Sequence, residues 1–370
     1  MADALKDFYN ATVVGGIAER VAAAHPAFPA DRFRKEVMAA LPPLSLMQRA
    51  RAIANALHHH LPSYYPDALE ILLNSLGPDD SRGGIDGMGG FRHLPLLNFV
   101  GAYGLEHPEL SLNALHDMTK HFSAEFDIRY FVERHYDLTM AAVRSWTSDP
   151  HWAVRRLCSE GLRPRLPWGL RLKRFIADPA PVLDIIEDLR ADPHDSVRRS
   201  VANNLNDIAK DNPDVVIATM QRWQAEDRDG TADAVRHGLR TLVKKGDRRA
   251  LTLLGFDHRA PVTALDFAIA RSRYRVGDRL AFHISLRHDG KKPAKLSVDY
   301  AIHWRNARGG WQAKVFKLAK PQLGPGETVM LEKAHSLKPI TTRRYYAGEH
   351  KVEILVNGQS VADGKFDLAL

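Results

Sequence analysis

Residues 149–156 read DPHWAVRR and residues 192–199 read DPHDSVRR, so one pattern returns after 43 residues. A weaker third copy stands at Val235–His237. Asp178–Pro179 and Asn212–Pro213 mark two further helix starts, because an Asx residue caps a helix and a proline fits its first position. Paired helices that recur about every 40 residues are typical of a HEAT-like α-solenoid. Such a solenoid curves and exposes a concave surface that can bind a partner.

The repeat lies within a longer helical region, in which apolar residues recur at helical spacing, as in RFRKEVMAAL at residues 32–41. After about residue 256 the apolar period changes from 3.6 to 2, as in RLAFHISLR at residues 279–287. About seven such short segments, separated by turn sequences such as Asn357–Gly358, predict an Ig-like β-sandwich. We therefore predict a multidomain α + β protein. An α-solenoid of HEAT-like repeats occupies residues 1–256, and an Ig-like β-sandwich occupies residues 260–370.

The composition limits the class of protein. The chain of 370 residues has no apolar run near the roughly 20 residues that span a bilayer, and its first residues do not resemble a secretory signal. Its single cysteine, Cys158, excludes an internal disulfide framework, favours the cytoplasm, and is best explained as a small buried filler. From Pro261 onward, 19 Lys and Arg face 10 Asp and Glu, within a chain whose formal net charge is +8. This excess suits a polyanionic partner, with DNA or RNA first, and an equal alternative is that the basic charge serves only solubility.

A basic cluster, residues 151–175, surrounds one carboxylate, Glu160, with seven cations. A solvated basic helix normally carries carboxylates among its cations, so we expect an external anion to balance this cluster. A second carboxylate, Glu125, lies in SAEFDIRYF at residues 123–131. Ser123 fits a helix N-cap there, and Glu125 would then lie in the first turn, which by itself is a sufficient structural explanation for this residue.

Two other motifs are weaker candidates. Gly83–Gly90, GGIDGMGG, lacks the Lys-Ser/Thr pair of a P-loop and follows no strand pattern, so a flexible connector is favoured. His58, His59 and His60 are consecutive in a predicted helix. Consecutive helical residues point about 100° apart and cannot share one ion well, so a solvated helix end is favoured. The sequence therefore predicts no metal site and no cofactor.

Several segments resemble the AlkC family of bacterial DNA alkylation-repair glycosylases, which belongs to the HEAT-like-repeat superfamily shared with AlkD. They are SAEFDIRYF, the EGLRPRLPW run at residues 160–168, and VDYAIHW, KVFKL and RRYYAGEHKVEILVNG near the C-terminus. The resemblance covers essentially the whole chain, including the Ig-like domain that only some AlkC proteins carry, but Gly83–Gly90 departs from it. It implies excision of cationic N3-methylated bases, chiefly 3-methyladenine and 3-methylcytosine, from double-stranded DNA without base flipping.

The same resemblance implies that Glu125 and Glu160 are the two carboxylates beside the damaged nucleotide. A cationic base leaves readily, so the steps that need help are stabilising the oxocarbenium-like sugar and orienting the attacking water, and carboxylates can do both. Trp168 and Trp152 are candidate contacts to the lesion or its sugar, with core packing an equal alternative for Trp152. The candidate contacts to DNA phosphates are Arg155, Arg156, Arg163, Arg165, Arg198, Arg199, Lys314, Lys317, Arg343 and Arg344.

We thus predict a metal-free, monomeric bacterial DNA glycosylase of the cytoplasm, associated with the nucleoid when bound to DNA. Its Ig-like domain is expected to close on the far side of the duplex. One alternative is a HEAT and Ig-like scaffold that binds an acidic protein, in which Glu160 is an ordinary helix-end residue. Another is a damage-binding protein without catalysis. A steep fall of DNA affinity with salt would favour either nucleic-acid function over the scaffold.

Overall fold

The computed structural model describes residues 5–77, 88–226, 231–257, 259–340 and 343–370; residues 83–87 of the predicted glycine-rich connector lie outside this range. The chain divides into two compact units, Met1–Asn212 with Asp227–Gly238 and Pro213–Glu226 with Leu239–Leu370. Across the described residues, no helix is long and apolar enough to cross a membrane.

The predicted architecture, a helical region followed by an Ig-like strand domain, is confirmed. One 3-10 turn, Met88–His93, accompanies the α-helices. The helices are α1 Ala11–Ala24, α2 Ala30–Ala40, α3 Leu46–His60, α4 Tyr65–Asn74, α5 Leu94–Tyr103, α6 Pro108–Met118, α7 Ile128–Arg134, α8 Tyr136–Trp146, α9 Trp152–Glu160, α10 Lys173–Ala177, α11 Ala180–Leu189, α12 Asp195–Ile208, α13 Pro213–Glu226, α14 Thr231–Gly238, α15 Arg240–Lys244 and α16 Arg248–Leu253.

The two copies of the 43-residue repeat begin their helices with the same hydrogen bonds. His151 caps α9, and His194 caps α12; each ring accepts a hydrogen bond from the backbone N–H two residues later. Asp149 and Asp192 in turn accept the backbone N–H of the histidine that follows two positions on. The caps are therefore histidines and not the aspartates, because each aspartate is used in the turn before the helix.

The helices that carry the candidate site pack through their apolar faces. In the first unit α9 lies against α8, α11 and α12, and α12 lies against α14. Val154 and Leu157 of α9 and Val201 of α12 are fully buried. Cys158 is also fully buried, as expected, and burial raises the pKa of its thiol, which therefore stays protonated at neutral pH.

The strands form two facing sheets with a shared core. Strand order is β1-β3-β8 in one sheet and β2-β10-β9-β5-β6 in the other, with β4 and β7 paired separately. The alternating apolar residues predicted for β3 and β5 are buried, including Phe282, Ile284 and Tyr300. The strands are β1 Val262–Ile269, β2 Arg273–Arg275, β3 Arg279–His288, β4 Ala294–Lys295, β5 Val298–Arg305, β6 Trp311–Ala319, β7 Gln322–Leu323, β8 Thr328–Ser336, β9 Gly348–Val356 and β10 Gln359–Ala369.

The predicted Asn357–Gly358 turn joins β9 to β10. Both residues have positive φ, 47° and 78°, as a two-residue type I′ hairpin requires. Seven long strands match the predicted number. The three additional ones, β2, β4 and β7, have only two or three residues, too few to show an alternating pattern.

Candidate active site

Glu125 lies in a surface turn between α6 and α7, with 15% of its side chain exposed. The prediction that Ser123 caps a helix containing Glu125 is wrong, because α7 begins only at Ile128. The Ser123 hydroxyl instead donates a hydrogen bond to Glu125 Oε2 at 2.8 Å. The position of Glu125 is therefore fixed by its own side-chain contacts, and its carboxylate is not used to cap a helix.

Glu160 is the last residue of α9, and only 6% of its side chain is exposed. Its Oε1 accepts a 2.5 Å hydrogen bond from Arg163, and its Oε2 accepts a 2.6 Å bond from the Ser200 hydroxyl. Burial alone would raise the pKa of this carboxyl. The guanidinium groups of Arg156 and Arg163, with the Ser200 hydrogen bond, outweigh burial, so the pKa is lowered. Glu160 is thus a buried carboxylate that stays ionised at neutral pH.

Arg156 brings the two predicted carboxylates together. Its Nη1 donates to Glu125 Oε2 at 2.9 Å, and its Nη2 lies 3.9 Å from Glu160 Oε2. One guanidinium, 18% exposed, therefore lies between both carboxylates. Glu125 and Glu160 are 35 residues apart in the sequence, and the fold brings both to the same arginine.

Arg163, which binds Glu160, is itself held by a carboxylate of α12. Arg163 donates to Asp207 at 2.8 Å, and Lys210 donates to the other oxygen of that carboxylate at 2.7 Å. Asp207, Ser200 and Asn204 were not predicted as site residues. Their spacing of four and three residues places all three on one face of α12. Polar residues along one face of a buried helix indicate buried hydrogen-bond partners, and this pattern could have identified them from the sequence.

Two further predicted phosphate contacts, besides Arg156 and Arg163, are engaged with carboxylates of the protein. Arg155 binds Asp192 through bonds of 2.6 and 3.0 Å, and Arg165 binds Asp211 through two bonds of 2.7 Å. The expectation that the basic cluster depends on an external anion is therefore wrong for these arginines. Their partners come from the following repeat, which the local charge count did not include.

Other cations, within the basic cluster and one repeat later, are more open. Arg198 donates to the Asp192 carbonyl and pairs with the Asp195 carboxylate, with 25% of its side chain exposed. Arg199, Arg171 and Lys173 are exposed. These cations are placed to meet an anion from solvent.

Trp168 lies in the loop between α9 and α10, and 64% of its surface is exposed. Its φ of 64° is a left-handed value that non-glycine residues adopt at a cost of about 1–2 kcal/mol. Arg129, fully buried, anchors this loop: it donates to the carbonyls of Leu170 at 2.6 Å and Gly161 at 2.7 Å. Burial, and then the neighbouring Arg163, lower the pKa of Arg129 to about 10. Trp168 therefore has a strained backbone and an exposed indole. Arg129 links its loop to the end of the helix that carries Glu160.

Trp152 does not join this group. It begins α9, and eight residues at 1.5 Å each separate it from Glu160 by about 12 Å along the helix. Its ring stacks on His194 with centroids 4.1 Å apart. The structure favours the packing alternative for Trp152, since its indole stacks on His194, the histidine that caps the helix of the next repeat.

A cleft of about 220 Å³ opens beside Trp168 and is lined by Phe126, Tyr130 and Arg51. Asp127 lies beneath it, fully buried, and both carboxyl oxygens are 3.1 Å from the Asn98 amide nitrogen. Burial raises the pKa of Asp127 to about 7, although Arg51 and Asn98 act in the opposite direction. A carboxyl group that is partly protonated near neutral pH therefore forms the floor of this cleft.

In the second unit, a groove of about 850 Å³ runs beside the β5–β6 turn. Among the described residues, its lining includes five cations and no carboxylate; the cations are Arg305, Arg308, Lys314, Arg343 and Arg344. Trp311, 47% exposed, and Trp304, beneath Arg343 at 4.2 Å, add aromatic surface. The groove thus contains three of the four predicted Ig-like contacts. Lys317 is not in its lining and instead pairs with Asp299 at 2.9 Å.

Comparisons with known proteins agree with this architecture. A family model described as DNA alkylation repair enzyme matches residues 119–241, and one described as the C-terminal Ig-like domain of uncharacterised protein YhaZ matches residues 263–370. The uncharacterized protein YhaZ of Bacillus subtilis (strain 168) is 34% identical over 360 residues, 97% of each chain.

Among solved structures, Pseudomonas fluorescens alkylpurine DNA glycosylase AlkC, bound to DNA containing an abasic site analog, is 38% identical to this chain. The match covers 99% of both chains with a TM-score of 0.92. Because identity and coverage extend over both the helical region and the strand domain, the chain belongs to the AlkC family of DNA alkylation-repair glycosylases and carries the C-terminal Ig-like domain.

Proposed function

We propose that this protein is a DNA glycosylase that hydrolyses the N-glycosidic bond of cationic N3-methylated bases, 3-methylcytosine and 3-methyladenine, in double-stranded DNA during base excision repair. It acts as a monomer in the cytoplasm, at the nucleoid when bound to DNA, and uses neither a metal nor a cofactor for this reaction. The observation that carries the proposal is the pair of carboxylates, Glu125 and Glu160, on either side of the Arg156 guanidinium.

The chemistry follows from the charge of the lesion. A methylated base that already carries a positive charge departs as a neutral molecule, so no general acid is needed. The positive charge moves to the deoxyribose as the glycosidic bond breaks, and a carboxylate beside C1′ stabilises it there. Water then adds to C1′ and loses a proton, which leaves an abasic site. Glycoside hydrolases likewise place carboxylates around an oxocarbenium-like transition state, although one of theirs also protonates the leaving group.

The two carboxylates differ in ways that suit different tasks. Glu125 is the more exposed, and its surface turn can meet the sugar of an unflipped nucleotide directly. Glu160 is deeper, with Arg163 and Ser200 fixing its two oxygens. Its lowered pKa keeps it ionised, so it can orient the attacking water and accept its proton. Trp168 presents its exposed indole to the lesion or its sugar.

DNA binding is divided between the two units. Arg198 and Arg199 in the helical unit are partly or fully exposed and are proposed to bind phosphates, together with the exposed Arg171 and Lys173. Arg155 and Arg165 are bound to carboxylates, and Arg156 and Arg163 hold the catalytic pair, so we assign these four mainly to positioning.

In the Ig-like domain, the basic groove is the proposed phosphate site, with Lys314, Arg343 and Arg344 among its cations. Aromatic side chains between cations are typical of nucleic-acid surfaces, because they contact sugars and bases while the cations bind phosphates. Lys317 pairs with Asp299, so we leave it out of this proposed set.

The test is release of the modified base from duplexes with one 3-methylcytosine or 3-methyladenine, under single-turnover conditions, with DNA affinity measured in parallel. Glu125→Gln and Glu160→Gln should each lower the rate by about 100-fold or more, the range of electrostatic groups at a reacting centre, while affinity changes little. Glu133→Gln is the matched control, since Glu133 is an exposed carboxylate on the adjacent α7.

Two outcomes would contradict the proposal. If wild-type protein releases neither base, the glycosylase function is wrong, and tight lesion binding would then favour a damage-binding protein. If both glutamine variants keep wild-type rates, the reaction stands but Glu125 and Glu160 are not its carboxylates. An unchanged far-UV circular dichroism spectrum and melting temperature would exclude misfolding of the variants as the cause of a lost rate.

A further inference from the structure

Three metal-ligating side chains meet outside the candidate active site. They are Glu36 on α2 and the last two residues of α3, His59 and His60. Glu36 Oε1 lies 3.4 Å from His59 Nδ1, and Glu36 Oε2 lies 2.8 Å from His60 Nε2. The ligand atoms of all three residues lie within 4.8 Å of one another.

From the sequence, we expected these histidines to form a solvated helix end, because consecutive residues diverge around a helix. His58 does turn away, and its ring stacks on Tyr103 at 3.8 Å. His59 and His60 nevertheless converge, because they offer different ring atoms. His59 presents Nδ1, close to its backbone, and His60 presents Nε2, at the far edge of its ring, while the two rings stack at 4.7 Å.

The fold holds one of these ligands in place and leaves the others adjustable. The His60 side chain is only 4% exposed, and its ring meets Phe28 and Phe33 edge-on, with centroids 6.4 and 6.3 Å away. Glu36 is 41% exposed and His59 is 61% exposed. An ion can therefore reach the group from solvent, and only exposed side chains need to move to complete its coordination.

The separations fit a common ion. Ligand atoms held at about 2.0–2.2 Å from one ion, at angles of about 90–110°, lie roughly 2.9–3.6 Å apart. The two Glu36–imidazole separations, 2.8 and 3.4 Å, end at different carboxylate oxygens and are in or close to this range, and the two imidazole nitrogens lie within 4.8 Å of each other. Two imidazole nitrogens favour zinc and its neighbours over magnesium or calcium, which prefer oxygen ligands. We propose that Glu36, His59 and His60 bind a divalent transition-metal ion, with Zn²⁺ as the physiological candidate.

The bound ion would join α2 to the C-terminal end of α3. Three protein ligands leave at least one coordination position for water, so the site exchanges its ion and can be titrated. Because the three ligands are brought together only by folding, binding also raises the stability of the folded chain by mass action. The proposal is independent of the glycosylase reaction, since none of its residues belongs to the candidate active site.

The experiment uses full-length protein without a histidine tag, stripped with a chelator and titrated at neutral pH with Zn²⁺ by calorimetry. A parallel titration with Co²⁺ follows the visible absorption of nitrogen-coordinated cobalt. We expect one ion per chain and a thermal midpoint that rises with Zn²⁺. Glu36→Gln and His59→Ala change exposed side chains and should each weaken the affinity about 100-fold or more, since even outer-shell partners are worth 10- to 100-fold.

His58→Ala is the matched control, because this neighbouring histidine contacts Tyr103 and not the proposed ion. It should retain wild-type affinity and the wild-type cobalt spectrum. The proposal is overturned if wild-type protein shows no saturable binding. Equal affinities of His58→Ala and His59→Ala would also overturn it, since binding would then be independent of the arrangement around Glu36.

Discussion

Replacing Arg156 tests whether one guanidinium sets the charge of the catalytic pair. Its Nη2 lies 3.9 Å from Glu160 Oε2, and Arg156 is the largest of the influences that lower the pKa of Glu160. Arg156→Gln removes the charge but keeps a hydrogen-bond donor for Glu125. Arg163, at 2.5 Å, stays in place, so Glu160 keeps one cationic partner and the variant is expected to fold.

The magnitude follows from Coulomb's law. Two unit charges 3.9 Å apart attract by about 1 kcal/mol in bulk water and by about 4 kcal/mol at the effective dielectric constant of about 20 typical of protein sites. Loss of this attraction should therefore raise the pKa of Glu160. Because only 6% of the Glu160 side chain is exposed, we expect the lost attraction to lie in the upper part of this energy range.

The assay is the single-turnover rate of base release as a function of pH. A carboxylate that must be ionised gives a rate that falls on the acidic side, and in Arg156→Gln this acidic limb should move to higher pH. Arg156→Lys should restore part of it, whereas Arg222→Gln, at an exposed ion pair on α13, should leave the profile unchanged. A rate lowered equally at every pH, with the acidic limb in place, would refute the electrostatic role.

Three further expectations concern other parts of the chain. The pKa of Asp127 is about 7 in the folded chain and about 3.9 in the unfolded chain. Its contribution to the free energy of unfolding is therefore fully present below pH 4 and is lost as the pH rises toward 7. Asp127→Asn should therefore raise the free energy of unfolding above pH 7 by about 1–4 kcal/mol in urea titrations, and an unchanged pH dependence would count against this. Trp168→Asn should leave the thermal midpoint unchanged or higher, because asparagine tolerates positive φ. The same variant should slow base release at least about tenfold. An unaffected rate would remove Trp168 from the proposed site. Arg343→Ala with Arg344→Ala should reduce the slope of log affinity against log salt by about 1.8, two phosphate contacts, and an equal slope in wild type and variant would exclude the groove.

The parts of the fold that were predictable have local signals. A helix start is encoded in a few consecutive residues, so the repeat at residues 149–156 and 192–199 could be found directly. The same holds for the Asn357–Gly358 hairpin, whose conformation is set by the two turn residues themselves. The sequence alone does not rank the possible caps at the helix starts of His151 and His194, because histidine Nδ1 and an aspartate oxygen can both accept the bond.

Charge pairing was the harder problem, because its partners are distant in sequence. Arg155, Arg163 and Arg165 bind carboxylates 37, 44 and 46 residues further along the chain. These separations are close to the 43-residue repeat, so a cation in one repeat finds its anion in the next. Counting charges only within residues 151–175 therefore leaves the basic cluster without its anionic partners. Comparing each cation with the residue one repeat later would have located Asp192, Asp207 and Asp211.

The balanced charges around Glu160 suit the proposed reaction better than an unpaired carboxylate would. Glu125, Glu160 and Asp207 pair with Arg156, Arg163 and Lys210, so none of these carboxylates is an isolated charge. The lesion brings one positive charge, and bond cleavage only moves it from the base to the sugar. The site therefore needs no net negative charge to bind the substrate. It needs carboxylates fixed closer to the sugar than to the base, so that stabilisation grows as the charge moves.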